Sequence, residues 1–169
     1  MSSVRTATTV MAALALAVLS AFTLAAPAAS AQPSGTGLVI NIHYGTCLSE
    51  NSTSLEVGLS ACNSNHSEWW TPSGGTIING QAAYELVNYH SNECLSEDGF
   101  FVGADTCTGN HAEYWYARRV EVGTNPDELV NVHYGLCLGA SAATGPFVGT
   151  NTCPQSVNGA ALWDVQGLP

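Results

Sequence analysis

The stretch NIHYGTCL (residues 41–48) returns as NYHSNECL (residues 88–95) and as NVHYGLCL (residues 131–138). Each copy places a His two residues after Asn and a Cys four residues after that His. The opening cysteines Cys47, Cys94 and Cys137 stand 47 and 43 residues apart. Two more landmarks follow in fixed order. VGLSAC, VGADTC and VGTNTC end at Cys62, Cys107 and Cys153, and Trp70, Trp115 and Trp163 come 8, 8 and 10 residues later. Three landmarks recurring three times at this period define an internal repeat.

Each unit reads as four short strands. LVINI, YELVNY and ELVNV are rich in β-branched or aromatic residues and run into turn formers, HYGT, HSNE and HYGL, whose Gly or Asn tolerates positive φ. CLS or CLG opens a second strand, VGxxxC a third, and WW, YWY and LWDV a fourth. No window has helical periodicity with a capped start and a Gly stop. Three such units predict a closed all-β structure. Six cysteines permit fifteen pairings. A hairpin of the second and third strands brings Cys47 beside Cys62, Cys94 beside Cys107 and Cys137 beside Cys153. Pairing across units is less local and needs the same offset three times.

The first 31 residues read as a secretory leader. Arg5 supplies a positive start, residues 10–26 are apolar except for Ser20 and Thr23, and Ala29-Ser30-Ala31 gives a small-x-small cleavage pattern. A membrane span is the competing reading, but the run has only 17 residues and meets Pro27. No membrane insertion is expected. The mature chain would begin at Gln32, with a short tail over 32–37 and one domain over 38–169. Its approximate repeats are 38–79, 80–125 and 126–169. Without the leader, two arginines face 13 carboxylates, a net charge of 2 − 13 = −11. A chain this acidic repels phosphate backbones, so nucleic acid is excluded as a partner. Six cysteines in a small exported domain suit a secreted, extracellular protein with three disulfides.

These motifs resemble the ricin-type lectins, whose β-trefoil repeats run Asn-x-x-x-Gly-x-Cys-Leu, a second Cys, then Gln-x-Trp. The match covers residue 38 to about residue 166, with Asn92 where the second copy should carry Gly. The resemblance implies an all-β trefoil in which Trp70, Trp115 and Trp163 are buried and hold each unit to a barrel. It also implies a module that binds a glycan or polysaccharide without altering it. No catalytic residue, cofactor or metal is expected. The family's sugar anchors are nevertheless changed. The Asp after Cys-Leu is Ser49, Ser96 and Gly139. The Gln and aromatic positions before the second Cys are Gly58, Gly103 and Gly149, and Ser60, Asp105 and Asn151. The Asn-Gln pair is Ser67-Glu68, Ala112-Glu113 and Ala160-Ala161.

Substitute anchors lie nearby. Glu50, Glu97 and Asp98 follow the missing Asp by one or two residues, and a shifted carboxylate there would grip vicinal hydroxyls. Asp105 is a further candidate acceptor. Units one and two share Asn-His-x-Glu-x-Trp, which nominates Asn65, His66, Asn110 and His111 as polar groups, with Trp69 and Tyr114 as stacking faces. The competing reading has Glu68 and Glu113 taking over the backbone hydrogen bonds of the family's Gln, leaving the histidines as loop residues. His43, His90 and His133 read as turn residues, since a metal site would need all three to converge on one ion. Residues 72–75 (PSGG) read as a linker between units one and two. A second function class stays open. A secreted protein-interaction trefoil, an inhibitor or an assembly subunit, would use Phe100-Phe101, Tyr44 and Tyr134 as exposed aromatics.

Overall fold

The structure is a computed structural model that describes residues 34–51, 53–99, 101–120, 127–141, 147–153 and 159–167. The leader reading over 1–31, and Phe100, lie outside the described residues. Within them the chain forms β1 (Gly37–Asn41), β2 (Thr46–Glu50), β3 (Val57–Ala61), β4 (Trp69–Ile78), β5 (Gln81–Asn88) and β6 (Cys94–Glu97). Then follow β7 (Val102–Asp105), β8 (Tyr114–Arg119), β9 (Asp127–Asn131), β10 (Cys137–Ser141), β11 (Phe147–Asn151) and β12 (Trp163–Val165). Single turns of 3-10 helix over His66–Glu68, His111–Glu113 and Gly159–Ala161 precede the fourth strand of each unit.

First and fourth strands close a ring by antiparallel pairing: β1 with β4, β4 with β5, β5 with β8, β8 with β9, β9 with β12, and β12 with β1. Second and third strands form the hairpins β2–β3, β6–β7 and β10–β11, each attached to the first strand of its unit. The hairpins meet one another where Phe147 pairs with Gly58, where Glu56 bridges to Gly103, and where the Ala104 amide donates to the Leu55 carbonyl at 3.0 Å. A six-stranded barrel under a cap of three hairpins is a β-trefoil; the repeats predict its closed all-β form, and the resemblance to ricin-type lectins implies the trefoil.

The repeat motifs explain the packing. Cys47, Cys94 and Cys137 and the leucines after them, Leu48, Leu95 and Leu138, are all fully buried. Trp70, Trp115 and Trp163 fill the barrel, and each indole N–H donates to the carbonyl of its own unit's leucine, at 3.0, 2.8 and 2.9 Å. A buried indole needs that partner, because an unpaired N–H there costs about 1–3 kcal/mol. The disulfides are Cys47–Cys62, Cys94–Cys107 and Cys137–Cys153. The local pairing is the one formed.

The asparagine that opens each motif locks one unit to the unit before it. Asn88 donates through Nδ2 to the Ser67 carbonyl of unit one at 2.8 Å, and Asn131 to the Ala112 carbonyl of unit two at 2.8 Å. Asn41 closes the circle on the Ala160 carbonyl of unit three at 3.0 Å. The three Oδ1 atoms accept backbone amides of the following turn: His43 and Tyr44, His90 and Ser91, His133 and Tyr134. All three asparagines are fully buried. The turn then needs positive φ four residues on, and Gly45, Asn92 and Gly135 supply φ of 63°, 62° and 66°. Asn92 stands where Gly was expected because Asn tolerates this region. His43, His90 and His133 are exposed on the turns.

Residues 72–75 are not an irregular linker. Pro72 and Ser73 pair with Leu86 and Glu85, the register shifts before Thr76, and the strand continues to a tight turn at Asn79 and Gly80, both at positive φ. This long β4–β5 hairpin carries residues toward the second unit's loop.

Candidate functional site

Two loops sharing the Asn-His-x-Glu pattern are built alike. Asn65 and Asn110 cap the 3-10 turns, their side-chain oxygens accepting from the Ser67 amide at 3.0 Å and the Ala112 amide at 2.8 Å. The buried Glu68 accepts the amides of Asn63 and Ser64, the Ser60 hydroxyl and the Asn65 amide group. Glu113 likewise accepts the amides of Thr108 and Gly109, the Thr108 hydroxyl and the Asn110 amide group. These glutamates brace the loop through backbone amides, as the competing reading anticipated. Asn65 and Asn110 spend their polar atoms on the same brace.

The two histidines differ in surroundings. The His66 ring lies 4.9 Å from Trp69 and 5.2 Å from Tyr89, centre to centre. Trp69 is 1% exposed, so it offers no stacking face, contrary to expectation. His111 instead lines an open pocket of about 450 Å³ together with Tyr114, Gly109 and residues Thr76, Ile77, Ile78 and Asn79 of the β4–β5 hairpin. Of the ten residues nominated from sequence, His111 and Tyr114 are brought together in this pocket. Its hairpin wall was missed, although Asn-Gly at residues 79–80 between apolar runs is a hairpin signal.

The substitute carboxylates divide. Glu50 and Glu97 are buried and reach across units: Glu50 accepts the Ser91 hydroxyl at 2.5 Å, and Glu97 accepts the Thr150 hydroxyl at 2.5 Å. Strand alternation turns Ser49 and Ser96 toward solvent and the next residue inward. Glu97, contrary to expectation, lines neither the His111 pocket nor the cap cleft that Glu50 lines. Asp98 is exposed and accepts the Phe101 amide at 2.8 Å, holding the β6–β7 turn. Asp105 is exposed and lines, with Glu50, a second and larger cleft in the cap. At the family's Asp position, Ser49 pairs with the Ser67 hydroxyl at 3.0 Å.

Glu85, Cys94 and Glu113 bring possible metal ligands within 4.8 Å of one another. The Cys94 sulfur is committed to Cys107 and Glu113 to its four donors, which leaves one carboxylate. That set cannot complete a structural zinc site.

Burial raises the pKa of Glu97, an effect added to by Asp98 and opposed by the Thr150 hydrogen bond and His133. Burial and Glu113 raise that of Glu85, and burial, then Glu85 and Glu113, raise the Tyr114 phenol. Burial also raises Asp127 against the lowering effect of Arg119. A carboxyl with a raised folded pKa takes up its proton in the folded state first. Stability therefore increases as pH falls through the folded value and levels off below the unfolded value. Thermal unfolding followed from pH 7 toward pH 4.5 should show this rise, and Glu97→Gln should raise the neutral-pH midpoint and shrink the gain on acidification. A Glu97→Gln protein with an unchanged pH profile would contradict the assignment.

Neither protein-family models nor curated protein sequences match this chain. Solved structures do. The designed 3-fold symmetric protein ThreeFoil matches with a TM-score of 0.64 at 19% identity, over 76% of this chain and 96% of that one. The hemolytic lectin CEL-III matches at 0.60 and 20% identity, over 77% of this chain and 29% of that one. The Polyporus squamosus lectin bound to a human-type influenza-binding epitope matches at 0.63 and 12% identity, over 79% and 49%. The chain thus spans under a third of CEL-III and about half of the Polyporus lectin. At these identities the likeness shows the fold, an all-β trefoil of the kind found in lectins.

Proposed function

We propose that this protein is a secreted, non-catalytic glycan-binding module whose sugar site is the pocket of unit two. The observation that carries this reading is the meeting of His111 and Tyr114 with Thr76 and Asn79 around one open pocket. An imidazole, a phenol, a hydroxyl and an amide supply donors and acceptors for sugar hydroxyls. Ile77 and Ile78 and the phenol ring supply the apolar contact that a sugar's C–H face needs. Asn110 and Glu113 hold the loop, so the His111 ring is presented on a fixed backbone. Rigid presentation limits the ordering cost of binding. Likeness to lectin structures supports the class of ligand, and three disulfides fit an oxidising, extracellular setting.

Unit one packs His66 against Trp69 and Tyr89 and so is assigned no equivalent site. One glycan per chain is expected. A panel of glycans and insoluble polysaccharides should yield a ligand, and His111→Ala should weaken it about ten-fold, the loss of one good hydrogen bond. His66→Ala should leave affinity unchanged. Failure of every panel member, or an unaltered affinity in the His111→Ala protein, would count against the proposal. A stoichiometric protein partner recovered from native culture fluid in the first case would favour the protein-interaction reading.

A further inference from the structure

The cap holds a second cleft, separate from the sugar pocket, of about 1020 Å³ between the hairpins of the three units. Its apolar walls are Leu55, Leu59, Phe101, Phe147 and Val148. Phe101 is 74% and Phe147 58% exposed, which is unusual for phenylalanine on a small domain. Three carboxylates also line it: Glu50, Glu56 and Asp105. Glu56 and Asp105 are met by neutral donors, the Ser54 hydroxyl at 2.9 Å and the Thr106 amide at 2.8 Å.

Glu50 is the informative residue. It is 3% exposed, its Oε2 accepts the Ser91 hydroxyl, and its Oε1 is buried with no hydrogen-bond partner among the described residues. A carboxylate oxygen so placed is costly unless a donor or a positive charge meets it. The protein has none to offer from a basic side chain. Past the leader its only lysine or arginine residues are Arg118 and Arg119, and these pair with Glu128 and Asp127 on the barrel.

We infer that the cap cleft binds an organic cation with an apolar body, a hydrophobic primary amine. Its ammonium satisfies the unpaired Glu50 oxygen in the field of Glu56 and Asp105. Its hydrocarbon part lies between Phe101 and Phe147, whose ring faces also attract positive charge. An anion of the same shape meets three like charges there, and a neutral isostere lacks the charge that the Glu50 oxygen calls for.

The test uses three probes of one shape at pH 7: 4-phenylbutylamine, 4-phenylbutan-1-ol and 4-phenylbutyrate. Binding is followed by NMR of the methyl groups of Leu55, Leu59 and Val148, with calorimetry for affinity. The amine should bind about ten-fold more tightly than the alcohol, a difference set by one charge-assisted hydrogen bond, and the carboxylate should not bind. Phe101→Ala with Phe147→Ala should weaken amine and alcohol alike, while Glu50→Gln should remove most of the preference between them. Asp105→Asn, at an exposed position, should narrow the same preference should Glu50→Gln fail to fold. Equal binding of amine and alcohol by the unaltered protein, absence of amine binding, or amine binding indifferent to the two phenylalanines would each overturn the inference. Sugar binding should be unaffected by any of these changes, so the two sites are tested separately.

Discussion

Reduction of the three disulfides should unfold the domain at room temperature. The bridges Cys47–Cys62, Cys94–Cys107 and Cys137–Cys153 close loops with sequence separations of 15, 13 and 16. Loops of this size are each worth about 3 kcal/mol in the chain-entropy model, or about 9 kcal/mol together. An ordinary domain has roughly 5–15 kcal/mol in total. Near-ultraviolet circular dichroism should therefore lose the signal of the buried tryptophans when a reductant is added, in step with thiol release. A native spectrum persisting with all six thiols alkylated would show that the hairpins hold without their bridges.

Asn88→Ala is expected to destabilise the domain far more than truncation of the exposed turn residues beside it. It removes donation to the Ser67 carbonyl and two accepted amide bonds, all made by a side chain that is itself fully buried. The cost should be about 2–4 kcal/mol, because one buried side chain loses three backbone hydrogen bonds at once. Asn88→Asp should be no better, since it sets a carboxylate oxygen against the Ser67 carbonyl. His90→Ala, two residues along on the exposed face of the same turn, should stay within about 0.5 kcal/mol. Urea unfolding midpoints decide the comparison. Equal midpoints for Asn88→Ala and His90→Ala would mean that the lock between units carries little of the stability.

Much of the fold could be read from recurrence. Cys-Leu and the tryptophans repeat at fixed offsets because a three-fold barrel asks each unit for the same plug and the same carbonyl partner. The disulfide pairing followed from local hairpins. The site was less legible. Trp69 and Trp70 are neighbours on β4, and alternation sends Trp69 outward. The surface it faces is already covered by His66 and Tyr89, a tertiary fact invisible in the local pattern. Glu50 and Glu97 follow outward serines, so alternation does place them inward. Their roles depend on Ser91 and Thr150, which lie 41 and 53 residues away in sequence. The pocket wall was hidden for a different reason. Reading residues 72–75 as a linker ended β4 early and kept Ile77 and Asn79 from reaching His111.

The proposal that unit two carries the sugar site is tested most directly by titrating the best panel glycan into isotope-labelled protein. Side-chain resonances of His111, Tyr114, Asn79 and Ile77 should shift together and saturate at one glycan per chain, with His66 unmoved. Shifts confined to the cap around Phe101 and Phe147, or to the loop around His66 and Trp69, would contradict it.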